Sequence, residues 1–221
     1  MNRRPRLLVT AAVGATAALL LTACGGGDEK PKANDKIAGA DTGGGASASA
    51  EASATPSKEG AAGPEIAFPS GVENVFEGQK TGNATKDAVL AANALSVNSM
   101  DDAIFQGSVD TKALGFYNTG KALEAAIAYV QGYLDKNDTW VGTTRYFNRQ
   151  VTLSGGAGAS VVYCSDESKS FLKNRKTKKV KNTPTTADSY VLYNAKLVKN
   201  GQGVWQTTNI ISDRGAKVCQ P

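Results

Sequence analysis

Three patterns of apolar and polar positions divide this chain. From Leu7 to Ala23 the residues run without a charge. From Gly25 to about Glu65, large apolar residues almost vanish among Gly, Ala, Ser, Pro and Lys. Beyond that they return, first at helical and then at strand-like spacings. From Thr85 onward, Leu90, Ala94, Val97 and Ile104 are separated by four, three and seven, which predicts a helix closed by Gly107-Ser108. A second helical pattern follows Asp110, read as its N-cap, with Gly120, Leu123, Ile127, Val130 and Leu134 as the core stripe. Gly115 and Asn118-Thr119-Gly120 are where this pattern would divide into a short helix and a longer one. Ahead of the first helix, Ala67 to Gly78 reads as an irregular lead-in anchored by Phe68, Val72, Val75 and Phe76.

After Asn137-Asp138 the character changes to strands. Trp140 to Leu153 is rich in Thr, Tyr, Phe and Val, Ser154 to Gly158 is a glycine turn, and Ala159 to Ser165 returns as a second strand. That glycine cluster lies between strands, so it is hairpin chemistry; a phosphate cradle needs a helix to follow. Phe171-Leu172-Lys173 and Lys178-Lys179-Val180 read as arms of a basic hairpin or as a loop. Tyr190 to Lys199 alternates, Asn200-Gly201 is a hairpin signal, and Val204 to Ser212 is the last strand. Helices followed by four to five antiparallel strands predict an α+β domain, its N-terminal helices packed on a curved sheet.

The first two segments precede that domain. Arg3, Arg4 and Arg6 ahead of the apolar run give the plan of an export signal. Leu21-Thr22-Ala23-Cys24 resembles the lipobox of bacterial lipoproteins at all four positions. The resemblance implies that Cys24 receives a diacylglyceryl group and becomes the mature N-terminus, with residues 1–23 removed. Two acyl chains hold far more firmly than one, which is only marginal. Residues 24–65 then form a tether too poor in apolar surface to offset its ordering entropy, about 35 Å end to end as a random coil. Residues 66–221 are left as one domain on the extracytoplasmic face of the cell membrane.

Charge and cysteine count sharpen this picture. The chain carries 25 Lys and Arg against 20 Asp and Glu, and the residues after Ile66 hold the basic excess. A modestly basic domain near an envelope favours anionic neighbours; the excess is too small to argue nucleic acid. With Cys24 lipidated, Cys164 and Cys219 remain, and in an oxidising compartment they read as one disulfide. Lys173, Arg175, Lys176, Lys178, Lys179 and Lys181 crowd one short segment. They are candidates for contact with an anionic lipid or cell-wall polymer, against the plainer reading of lysines that protect a sheet edge.

Candidate chemistry is sparse. With no histidine, Ser/His and Cys/His nucleophile pairs are excluded, and catalysis would fall to carboxylate, tyrosine or lysine. Asp101-Asp102 is an adjacent pair whose members point in different directions, which reads as a solvated helix face. Asp166-Glu167, after Cys164, reads as turn chemistry. No catalytic residue, metal ligand or cofactor is assigned.

Gly142 to Phe147, Tyr163 to Ser168 and Val204 to Thr208 resemble small lipoproteins of high-GC Gram-positive bacteria. Their domains are often similar to the NTF2-like, cone-shaped α+β fold. The resemblance implies a concave cavity and brings no catalytic residues with it. The expected role is therefore non-enzymatic binding of a small apolar ligand, a polymer or another protein. The alternatives are a pocket enzyme using a carboxylate base and an interaction module acting through the basic hairpin.

Overall fold

The structure, a computed structural model, describes residues 63–221; the leader, Cys24 and most of the tether lie outside the described residues. A short strand β1 (Val72–Phe76) precedes three helices, α1 (Ala84–Gln106), α2 (Lys112–Tyr117) and α3 (Gly120–Asp135). Five strands follow: β2 (Asp138–Leu153), β3 (Gly158–Asn174), β4 (Val180–Lys181), β5 (Tyr190–Lys199) and β6 (Trp205–Arg214). The sheet runs β1-β2-β3-β5-β6, and β4 pairs with the far end of β3. This is the expected α+β layout, with one correction. Residues 67–78 are not irregular throughout, because Val72–Phe76 lies parallel to β2, in register from Val72 opposite Gly142 to Phe76 opposite Tyr146. The sheet is therefore mixed and six-stranded.

Local chemistry sets the helix ends. The Asn83 side chain accepts from the Lys86 N–H at 3.1 Å to start α1. Gly107, at φ +76°, ends it in the left-handed conformation that glycine adopts without strain. The N-cap of α2 is Thr111, whose Oγ1 accepts from Leu114 N at 3.3 Å, so the expected Asp110 cap lies one residue too early. The division between α2 and α3 falls at Asn118, a buried side chain that accepts from Ser96 Oγ and donates to Ser99 Oγ and the Leu114 carbonyl. Gly115 lies inside α2 and breaks nothing.

The core face of α3 is also rotated from the expected stripe. Ala122, Ala126 and Val130 are its buried residues, whereas Ile127 is 38% exposed. Small residues let this helix approach its neighbours closely and leave its larger side chains at the margins.

β2 and β3 form the long hairpin on which the rest is assembled, paired from Asp138 opposite Asn174 to Leu153 opposite Ala159. Two register shifts in that ladder, after Thr143 and after Phe147, bend it, as bulges do. At the first bend Gly142 sits at φ +103°, where a Cβ would run into the Lys169 carbonyl. β3 continues well past the expected end at Ser165, because β2 pairs with it on one side and β4 on the other. Asp166 and Glu167 thus lie in mid-strand and not in a turn. They face Arg145 at 3.5 Å and Arg214 at 2.8 Å.

Two apolar clusters fill the space between helices and sheet. One gathers Leu90, Val97, Tyr146, Val161, Tyr163, Leu197 and Trp205; the other gathers Ile104, Leu114, Ala126, Val130 and Trp140. Met100 packs against both. A third, smaller cluster surrounds a disulfide between Cys164 and Cys219, whose Cα atoms are 5.5 Å apart, with Tyr190 and Ala216 beside it. The bond ties β3 to the C-terminal segment across 55 residues. Reduction should therefore lower the unfolding free energy by about 2–4 kcal/mol, read from urea unfolding with and without reductant. An unchanged midpoint would show that the cross-link itself adds nothing to stability.

Candidate functional site

Between the two main clusters the helices stand off the sheet and leave a cavity of about 370 Å³. Each wall follows from the helical or strand period of the sequence. On α1, Val97, Met100 and Asp101 face it, three and one residues apart; on α3, Ala125, Ala126, Tyr129 and Tyr133 recur at helical spacing. On the long hairpin, Trp140, Thr144 and Tyr146 from β2 meet Tyr163, Glu167 and Ser170 from β3. Tyr193 of β5 and residues 210–212 and Arg214 of β6 complete the lining. Five of the chain's seven tyrosines line this one space, and it is the aromatic centre of the domain.

The rings hold one another in place. Tyr163 stacks on Tyr193 with centroids 5.0 Å apart, and Tyr146 stacks on Phe76 at 4.6 Å. Tyr129 and Tyr133, one helical turn apart on α3, meet edge to face with their hydroxyls 3.3 Å apart. Burial pushes the phenols of Tyr133, Tyr146 and Tyr193 above their usual range, and that of Tyr163 up to about 12; Tyr129, which is 47% exposed, shifts the same way through the desolvation of its hydroxyl. They remain neutral hydroxyls at physiological pH, able to donate as well as accept.

Asp101 is the polar centre of the wall. It is 6% exposed, so the expectation of a solvated acid pair on α1 is wrong. Its two oxygens are held from different strands: Asn74 Nδ2 of β1 donates to Oδ2 at 2.7 Å, and Trp140 Nε1 of β2 donates to Oδ1 at 3.1 Å. Asn74 also donates to Asn98 Oδ1 at 2.9 Å, which fixes its amide. Burial pushes the Asp101 carboxyl up to about 7, against the opposing pull of these two donors. The neighbour Asp102, 2% exposed, points elsewhere and does a structural job: it accepts from Ala67 N at 3.4 Å and Gln106 Nε2 at 2.7 Å, pinning the lead-in to α1.

At the rim, Glu167 accepts from Arg214 Nη1 at 2.8 Å, and the same nitrogen donates to the Asp188 carbonyl. Arg214 is the one basic residue lining the cavity among the described residues, and it is committed to Glu167. Asp101 has no cationic partner among the described salt bridges.

The six basic residues singled out in the sequence fall on the β3–β4 hairpin, away from this cavity. They are not equivalent. Arg175 donates to the Ile104 and Phe105 carbonyls at the end of α1, where a cation complements the helix dipole. Lys181 lies 3.3 Å from the buried Asp138 carboxylate. Lys173 is half-buried on β3, while Lys176, Lys178 and Lys179 are exposed on a turn organised by the Asn174 side chain.

Reasoning from sequence missed Asp101, Trp140 and the tyrosines. One signal was present. The stripe Leu90, Ala94, Val97, Ile104 skips a turn, and the residue that fills the gap, four after Val97, is Asp101.

No protein-family model and no curated protein matches this chain. Solved structures of similar outline include the intermembrane space region of the chloroplast protein ARC6, with 9% identity, a TM-score of 0.36, and coverage of 61% of this chain and 98% of that one. A ketosteroid isomerase-like protein from Erwinia carotovora atroseptica has 13% identity, a TM-score of 0.38, and coverage of 57% and 93%. A putative ketosteroid isomerase from Shewanella frigidimarina has 14% identity, a TM-score of 0.32, and coverage of 63% and 100%.

The raised Asp101 carboxyl has a consequence for stability. Between about pH 4 and 7 the folded chain holds a proton that the unfolded chain releases, so this contribution to stability falls as pH rises and is gone above about 7. The groups around it are Glu167 of β3, Arg214 of β6, Tyr146 of β2, and Tyr129 and Tyr133 of α3. Asp101→Asn removes the titration. Across that window the stability of wild type relative to the variant should decline by up to about 1.4 kcal/mol per pH unit, measured by urea unfolding at pH 4 to 8. A difference independent of pH would show that Asp101 ionises as it does in water.

Proposed function

We propose that this chain is a lipid-anchored extracytoplasmic protein whose folded domain captures a small, largely apolar ligand in the tyrosine-lined cavity. The observation that carries the binding reading is the cavity itself. Its volume falls at the small end of the roughly 300–1,000 Å³ of ligand pockets, and its walls are aromatic with a few convergent polar groups. Rings that stack on one another give a pre-formed surface, which lowers the ordering cost of binding. The anchoring part of the reading rests on Leu21-Thr22-Ala23-Cys24 and the basic, apolar leader ahead of it.

A second reading, acid–base chemistry by Asp101, is favoured by one observation: a cavity carboxyl that changes protonation near neutral pH is suited to exchange protons with a bound substrate. Binding is preferred because the surrounding phenols, the other groups that could pass a proton in the cavity, are raised by burial and held neutral. Exposed Lys176, Lys178 and Lys179 remain available to an anionic surface, a weaker basis for function than six free cations would be.

Native mass spectrometry after exposure to envelope extract tests the preferred reading. Wild type should retain a discrete small-molecule adduct. Ala125→Trp, which places an indole in the cavity from an exposed α3 position, should lose most of it. Adducts that survive Ala125→Trp would place binding elsewhere, and chemical conversion of the bound molecule would favour the catalytic reading. Separately, Cys24→Ser should move the protein from the membrane fraction to the soluble extracytoplasmic fraction. Retention in the membrane would overturn the lipid anchor.

A further inference from the structure

The cavity joins two features that are costly apart and favourable together. One is a carboxylate in a largely aromatic wall that forms no salt bridge among the described residues. The other is a set of aromatic side chains on the same walls: Trp140, Tyr129, Tyr133, Tyr146 and Tyr193 all line the same space. Aromatic faces attract cations through their quadrupoles, and more strongly where water is excluded. A neutral apolar ligand would gain from the rings and leave Asp101 desolvated. An anionic ligand would meet Asp101 and Glu167, with Arg214 the one opposing charge among the described lining residues and already committed to Glu167. A metal ion is poorly served, since no group of three metal-binding side chains exists among the described residues. A compact organic cation satisfies both features at once.

Resting on the cavity-binding reading, we infer that the ligand belongs to the organic ammonium class, its cationic head held among the tyrosine and tryptophan rings against the Asp101 carboxylate. The Asn74 and Trp140 donors keep that carboxylate aimed and leave part of its acceptor capacity free, since each oxygen accepts one of these hydrogen bonds and has two acceptor positions. The Glu167–Arg214 pair at the rim supplies local charge of both signs and leaves the cavity's net charge to Asp101.

The test uses the full chain carrying Cys24→Ser, with choline and its neutral tert-butyl isostere as probes, titrated calorimetrically. At pH 8 choline should bind at least about tenfold more tightly than the isostere, as expected for a cation–π contact with a charge partner. Asp101→Asn should cost choline at least about tenfold and leave the isostere within about twofold. In the wild type, which needs no variant to fold, choline affinity should fall about tenfold from pH 8 to 5.5 while that of the isostere stays flat. Among the groups facing the cation, Glu167 is the other carboxylate, and Glu167→Gln should leave the pH profile in place. Equal affinity for the two probes, pH-independent choline binding, or no choline binding at all would overturn the ammonium assignment. Isostere binding that is abolished by Ala125→Trp would leave the cavity reading standing in each of those cases. Failure of the cavity reading is seen separately, as probe or adduct binding that Ala125→Trp does not touch.

Discussion

One buried carboxylate ties three elements of this domain together. Asp101 comes from α1, its two oxygens are held by β1 through Asn74 and by β2 through Trp140, and it faces the cavity between them. Burial of an unpaired charge is among the more expensive arrangements a fold can contain, and removing its hydrogen-bond partners makes it worse. The arrangement persists because the elements around it are fixed for other reasons. β1 lies in parallel register on β2, the β2–β3 hairpin is bent by two bulges, and α1 is capped at one end by Asn83 and at the other by Gly107 and Arg175. The carboxylate is thus positioned by a frame whose elements are also fixed by other contacts, which is how binding sites are usually supported.

The same logic separates Asp101 from Asp102. Adjacent residues on a helix point about 100° apart. One therefore enters the cavity and the other anchors the chain at Ala67. An adjacent acid pair on a helix is mostly a solvated surface, and here the two flanking layers, β1 on one side and the lead-in on the other, bury both. Neither layer was visible from spacing. The segment carrying β1 has no alternating pattern long enough to read as a strand, since Val72-Glu73-Asn74-Val75-Phe76 places two apolar residues side by side.

Other parts of the fold were legible where local chemistry decides. Tyr190 to Lys199 alternates, Asn200 organises the turn that follows, and the observed strand has those bounds. α1 was visible from its stripe and from Gly107. Asn118-Thr119-Gly120 marked the break between α2 and α3, although nothing in the sequence showed that Asn118 would be held by Ser96 and Ser99 of the preceding helix. The Cys164–Cys219 pairing was expected once Cys24 was set aside by its lipobox resemblance and the compartment read as oxidising, and the structure has that bond. What remained hidden was set by long-range pairing: the extension of β3 to Asn174, the rotation of α3 toward Ala122, Ala126 and Val130, and the convergence of five tyrosines. Residues so far apart share a cavity only after the sheet has bent. The basic segment shows the converse, because Arg175 and Lys181 look like free surface cations in sequence and are spent on a helix end and on Asp138.

Asp101 is a desolvated carboxyl on the wall of an aromatic cavity. The most direct measurement is its own titration, followed by carboxyl carbon chemical shifts in protein labelled at aspartate, with Asp101→Asn used to assign the resonance. The Asp101 midpoint should lie near 7. A midpoint near 4, the ordinary value for a carboxylate in water, would mean that solvent reaches Asp101 freely and that the cavity wall does not desolvate it.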